Sequence, residues 1–495
     1  MSYLDRAIPP TRESRLNPCI TYGGTICGLA GKGGKGCLTS AERSFSQGSI
    51  CLLIPALAII NSLPDTAVLL HGAAGCGTVT HSQNGVIRTG TTARWGKAKD
   101  VLWFTTSLQE MDVVNGGEKK LEQAIREIDR EHSPKFIVVV TTCVPGIIGD
   151  DVDTIVERIG PEIKARILPV HCEGFKTAIW ATAYDAVYHT IGRNLLGPPS
   201  GESASPPNPR LVNLMNVSSM GRPDELELER LLGALGLEVN IFPGFADPGG
   251  MHRATLAALS ISTCPTHDDY FFKHLQERYG VPFVIRHMPI GIANTSLWLR
   301  EIAAALGLEE EAERIIERET ARLDAALKPF VPAFRGKRAF ISTGEIRALA
   351  NASLLRELGF EIVGVRTFHH DEFAESEYKK LAADGNDFVV NIADCQPFEE
   401  ANLLRRLKPD LFMGHVNGNS TAARMGIPAA AIYHVGLHFV GYRGAFEVAR
   451  RLYRQLRNPA FNRRLGEHVR LRYREEWYRC DPFSHIQHRE EGGHA

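Results

Sequence analysis

The chain has 495 residues, more than one hydrophobic core usually organises, so two or three domains are expected. Hydrophobic residues at 44% and charged residues at 23% are ordinary for a globular protein, and a formal net charge of −1 argues against a nucleic-acid or polyanion binder. The start, MSYLDRAIPPTRESR, lacks the apolar stretch of a signal peptide, and no apolar run approaches the ~20 residues of a membrane span, so a cytoplasmic location without membrane contact is expected.

Ten cysteines are too few for a disulfide scaffold in that compartment, which favours metal ligation for some of them. Cys19, Cys27, Cys37 and Cys51 fall among glycines. GLAGKGGKGC at 28–37 is not a phosphate loop, because Leu29 stands where that motif needs its first glycine and Gly36 where Ser or Thr should follow Lys35. The spacing of Cys19, Cys27 and Cys37 matches no compact zinc or ferredoxin motif, and whether any of them joins a cluster stays open. Cys51 opens CLLIPALAII, where Pro55 fits the first turn of a helix. Cys51 would then lie just ahead of a helix N-terminus, which favours thiolate over thiol.

AVLLHGAAGCG at 67–77 reads as a buried strand feeding a glycine turn that holds Cys76. The same grammar recurs in FIVVVTTC at 136–143 and TLAALSISTC at 255–264, so strand-like runs also end in Cys143 and Cys264. An open α/β sheet puts its chemistry at strand carboxyl ends, and repeated thiols there suggest ligands gathered around metal. Asp100–Thr106 is a further strand candidate, and Leu121, Ala124, Ile125 and Ile128 form one helical face. ILPVHCEGFKTAIWATAY at 167–184 repeats strand, turn and helix, with Cys172 at the turn.

GPPSGESASPPNP at 197–209 reads as a linker. RLVNLMNV at 210–217 starts a second unit that a helical block at 296–327 closes. GKRAFISTG at 336–344 opens a third, and the tail at 445–478 is charged and helical. Alternating strands and helices predict an α/β fold of three doubly wound domains with parallel sheets, bounded at 1–200, 201–335 and 336–495. Cys395 and Cys480 read as ordinary thiols, and Cys172 as a turn residue.

Local patterns then become specific. His71-Gly72-x-x-Gly75-Cys76-Gly77 is followed by Ser107-Leu108-Gln109-Glu110-x-Asp112, by Gly116-Gly117-Glu118-Lys119-Lys120-Leu121, and by Cys143-x-x-Gly146-x-Ile148-Gly149-Asp150-Asp151. In order and spacing these resemble the nitrogenase component 1 superfamily. Pro169-Val170-x-Cys172-Glu173-Gly174-Phe175 narrows the likeness to its α-type, catalytic chain, over about Cys51 to Arg450. The resemblance implies three Rossmann-like domains and a heterotetramer with a homologous β-type chain. It implies electrons from a separate ATP-hydrolysing iron protein, and a P-cluster-like iron–sulfur cluster shared with the partner chain. Cys51, Cys76 and Cys143 match that cluster's cysteines. Cys264 and His434 match the two ligands of a buried nitrogenase-type iron–sulfur cofactor, with His438 as the alternative to His434.

The pocket departs from a dinitrogen-reducing chain. Trp180 and Tyr184 replace glutamine and histidine, Asn84 replaces an arginine, and Asn417 replaces a lysine near the cofactor's organic acid. An indole N–H is a poor proton relay, whereas an aromatic wall suits a larger apolar substrate. These departures are similar to the nitrogenase-like methylthio-alkane reductases, which release methanethiol and a hydrocarbon from small organic sulfides. On that likeness Trp180 shapes the pocket, and Tyr184 or His81 donates the proton. The alternatives are a divergent nitrogenase α chain, a cofactor-assembly scaffold and a tetrapyrrole reductase chain.

Overall fold

A computed structural model describes residues 6, 8–16, 18–31, 41–43, 51–81, 83–197, 206–216, 220–383, 385–394 and 396–488. Cys37 and Cys395 lie outside them. Three parallel sheets carry the fold, as the strand–helix alternation predicts. Among the described residues no helix is long and apolar enough to cross a membrane.

In the first sheet the strands lie in the order Leu102–Thr105, Thr66–His71, Phe136–Thr141, Arg166–His171, all parallel. Its central strands are apolar at nearly every position because both faces are covered. Val68, Leu70, Val138 and Val140 point into one core, and Ala67, Leu69, Ile137 and Val139 into another beneath the helices Glu118–His132 and Val152–Ile159. The second sheet runs Phe283–Val284, Ala257–Ile261, Asn208–Asn216, Glu238–Pro243, again parallel. In the third, Val389–Ala393, Glu361–Thr367, Arg338–Ser342, Leu411–Gly414 and Ala429–Ala431 are parallel.

The structure adds detail to the sequence reading at two places. The first domain was expected from residue 1, but Thr21–Thr25 pairs antiparallel with Val389–Ala393 at the edge of the third sheet. A β-strand can join any exposed edge, and TYGGT carries no signal of which one it joins. The block at 296–327 is also two helices, Ile292–Leu306 and Glu309–Leu327, broken at Gly307, whose φ of 69° is the left-handed conformation that ends a helix.

Candidate functional site

Each sheet has a place where successive connections leave in opposite directions, and ligands of open α/β sheets bind in the crevice there. In the first sheet it lies between Thr66–His71 and Phe136–Thr141, whose next turns carry Cys76 and Cys143. In the second it lies between Asn208–Asn216 and Ala257–Ile261, and Cys264 follows the latter at the start of the helix Pro265–Tyr279. In the third it lies between Arg338–Ser342 and Leu411–Gly414, followed by Thr343 and His415. Sequence grammar finds the first two crevices through their thiols.

Cys51, Cys76 and Cys143 come together, close enough that the other two raise the Cys51 pKa electrostatically. Burial is the larger cause of that rise, and the Leu53 N–H at the helix start opposes it. The thiolate expected of Cys51 from its helix position is thus outweighed in the bare protein. Cys51 is exposed, and Cys76 and Cys143 are half-buried. Exposed Val79, Met111, Val114, Ile147 and Phe175 lie on the elements that carry or flank these thiols. Apolar side chains concentrated there suit a surface covered by another chain.

The motifs around the thiols form one network. His71 Nε2 lies 3.0 Å from Asp150 Oδ2, and its Nδ1 lies 3.1 Å from Thr106 Oγ1. Asp150 Oδ1 accepts the Gly117 N–H at 2.9 Å, and Glu118 accepts the Asp151 N–H at 3.1 Å. A Cβ at Gly72 would lie 2.0 Å from Thr142 Oγ1, so the turn before Cys76 closes only with glycine. Beside Cys143, Glu173 accepts from Thr141 Oγ1 at 3.2 Å. Against burial, which raises its pKa, contact with His171 and Lys176 lowers it to about 2. Cys172 is buried, its thiol raised by burial and then by Glu173.

Cys19 and Cys27 flank the strand Thr21–Thr25 of the third sheet, and Cys480 lies in the tail against Trp477. Among the described residues no group of His, Cys, Asp and Glu side chains is arranged to hold a single metal ion. Thiols gathered at one crevice are the donor type that iron–sulfur clusters most often use.

Cys264 is buried among polar and aromatic side chains that form the second candidate site. Burial and then Asp268 push its thiol up to about 12, opposed by the Arg347 guanidinium and by the His267 and Thr266 N–H groups. Asp268 Oδ2 holds the turn, accepting from Ser262 Oγ at 2.6 Å and from the Thr263 and Cys264 N–H groups at 3.1 and 3.2 Å. The aromatic wall is present: Trp180 lies edge-on to Tyr184 at 5.7 Å and to Phe368 at 5.4 Å, and Tyr184 lies 4.1 Å from the His267 ring. Phe368 stacks on His415 at 6.1 Å. His415 has an accessible ring although burial, then Arg347 and Arg366, lower its pKa to about 4.

Trp180 Nε1 and His267 Nδ1 are buried without a hydrogen-bond partner. A buried thiol, unpaired ring nitrogens and a cationic guanidinium are a donor set that fits an anionic iron–sulfur group.

Trp180 and Tyr184 pack against each other, and Tyr184 reaches His267 on the helix that Cys264 begins. His434 lies on the loop after Ala429–Ala431 and is exposed, its Nδ1 accepting the Gly436 N–H at 3.1 Å. His438 lies further along that loop. His81 is exposed and packs edge-on against Trp103 at 6.2 Å, not against the aromatic wall. Sequence reasoning missed Arg347 and His415, which come from the third unit and sit in no local pattern, and also His267, on the helix that Cys264 begins.

Three doubly wound units with thiols at two switch points define a three-domain α/β oxidoreductase class. Residues 51–457 match the family of nitrogenase component 1 type oxidoreductases, and the chain belongs to that family. It is 29% identical over 438 residues to the nitrogenase iron-molybdenum cofactor biosynthesis protein NifE of Nostoc sp., covering 86% of this chain and 87% of that one. It is 24% identical to the nitrogenase molybdenum-iron protein alpha chain of Methanosarcina barkeri, covering 81% and 84%. The solved structure of nitrogenase Cp1 at pH 5 superimposes with a TM-score of 0.73 at 21% identity, over 86% of this chain and 92% of that one.

Proposed function

We propose that this chain is the catalytic subunit of a nitrogenase-like reductase that cleaves the carbon–sulfur bond of methylthio-alkanes. Electrons enter from an ATP-hydrolysing iron protein, through a cluster held by Cys51, Cys76 and Cys143 and shared with a homologous β-type chain. The exposed apolar side chains beside those thiols support such a partner. A cofactor anchored by Cys264 supplies low-potential electrons. The reaction takes two electrons and two protons, breaks the carbon–sulfur bond, and yields an alkane and methanethiol.

The observation that carries this reading is the wall of Trp180, Tyr184 and Phe368, with Tyr184 against His267 on the helix that Cys264 begins. An aromatic wall of this kind suits an alkyl sulfide better than a small polar substrate. The Tyr184 hydroxyl is the proposed proton source, a role His81 fills only if it reaches the site from its place on Trp103. Purified complex fully loaded with iron should release methanethiol from dimethyl sulfide under reducing conditions; loaded complex that releases none sinks the proposal.

A second reading is a cofactor-assembly scaffold. The exposure of His434 and the likeness to NifE proteins favour it. A scaffold passes its iron to an apo-reductase on mixing, whereas a catalytic subunit keeps it. Retention of His434 as second ligand requires the loop at 432–440 to turn inward when the cofactor binds.

A further inference from the structure

The segment Thr11–Arg15 precedes the residues that match the family, yet it is built into the middle of the molecule. Arg12 is fully buried. Its N–H donates to Thr182 Oγ1 at 3.2 Å, and its guanidinium donates to Thr266 O at 2.8 Å, Asp269 at 3.1 Å and Asp371 at 3.0 Å. Arg15 pairs with Asp185 at 2.8 Å and Asp269 at 2.6 Å. These carboxylates come from helices of the first and second units and a loop of the third, so the two arginines anchor the segment to all three.

Between the arginines, Glu13 faces the loop that leads into Trp180. Its carboxylate accepts the Ala178 N–H at 2.7 Å, the Ile179 N–H at 3.2 Å and the Thr177 hydroxyl at 2.7 Å. Charge-assisted bonds to successive N–H groups fix backbone direction as well as position. Trp180 is the next residue, and its ring packs edge-on to Phe368 and to Tyr184, which lies against His267 on the helix that Cys264 begins.

We infer that Glu13 is a positioning residue for the Trp180 wall, setting the room beside Cys264 and hence the size of substrate accepted. The inference rests on the Trp180 wall lining the substrate site. Arg12 and Arg15 hold the segment without Glu13, so its removal loosens the loop while the anchor stays. A merely structural Glu13 would change stability alone.

The test uses the full chain with its partner. It reads hydrogen exchange over residues 177–182, Trp180 emission by difference from Trp180→Phe, and KM and kcat for thioethers of increasing size. In Glu13→Ala, exchange at 178 and 179 rises about tenfold or more, the scale of a lost charge-assisted hydrogen bond. Trp180 emission changes, and KM for the larger thioethers rises severalfold more than kcat falls. Glu13→Gln keeps an acceptor oxygen and recovers most of the wild-type behaviour. Should Glu13→Ala not fold, Thr177→Val removes one donor and gives a smaller change in the same direction.

Unchanged exchange and emission overturn the inference, and so does a loosened loop with KM unchanged across the series. A loosened loop in an enzyme that turns over no thioether overturns the substrate reading and leaves the positioning of Trp180 standing.

Discussion

Thr343 Oγ1 stands 2.9 Å from His415 Nε2, joining the carboxyl ends of two neighbouring strands across the third sheet's switch point. Burial, Arg347 and Arg366 lower the His415 pKa to about 4, which favours a neutral ring that can donate or accept a hydrogen bond. His415→Ala should alter the electron paramagnetic resonance spectrum of the reduced cofactor and leave the interface cluster's signal alone. An unaltered cofactor spectrum would remove His415 from the site.

Arg12 lies among Asp185, Asp269 and Asp371, all buried. Arg12→Ala strands these charges with Arg15 as the remaining cation, and removing one partner of a buried pair costs about 3–5 kcal/mol. Denaturant unfolding should show a loss of that order. A change below about 1 kcal/mol would mean that the carboxylates take up protons instead.

His171 is opposed by burial but lies 3.1 Å from Asp153 and 3.5 Å from Glu173, which together raise its pKa to about 9. A folded-state pKa above the ordinary 6.5 means the stabilisation is fully present below pH 6.5 and is lost as pH rises through about 9. Half-exposed Asp153 is screened by solvent, so the loss should be on the order of 1–2 kcal/mol. His171→Asn should flatten this slope between pH 6.5 and 9, measured by unfolding at a series of pH values.

Gly72→Ala places a Cβ 2.0 Å from Thr142 Oγ1, in the turn between His71 and Cys76. Overpacking of this kind costs about 1–3 kcal/mol. The strain falls on the turns before Cys76 and Cys143, so interface-cluster iron should drop as well. Double substitution with Thr142→Ala should restore both.

The first two thiol sites were legible because a buried parallel strand, a glycine turn and a cysteine are contiguous in sequence. The network of His71, Gly117 and Asp150 was legible as motif and gained its physical reason from the hydrogen bonds. The Trp180–Tyr184 wall was legible from one helix turn. His415 and Arg347 were not, since each comes from the third unit and neither sits in a local pattern. The role of Glu13 was hidden for the same reason, with 164 positions between it and Thr177. His434 stood out through the spacing of its loop, and loop conformation is what spacing fails to encode.

The most direct measurement is anaerobic iron analysis of the chain co-purified with its partner, comparing wild type, Cys264→Ala and Cys143→Ala. Two separate clusters predict that Cys264→Ala loses a large share of the iron but keeps the interface cluster's spectrum, and that Cys143→Ala loses that spectrum. Wild type carrying no more iron than Cys264→Ala would contradict a cofactor held at Cys264.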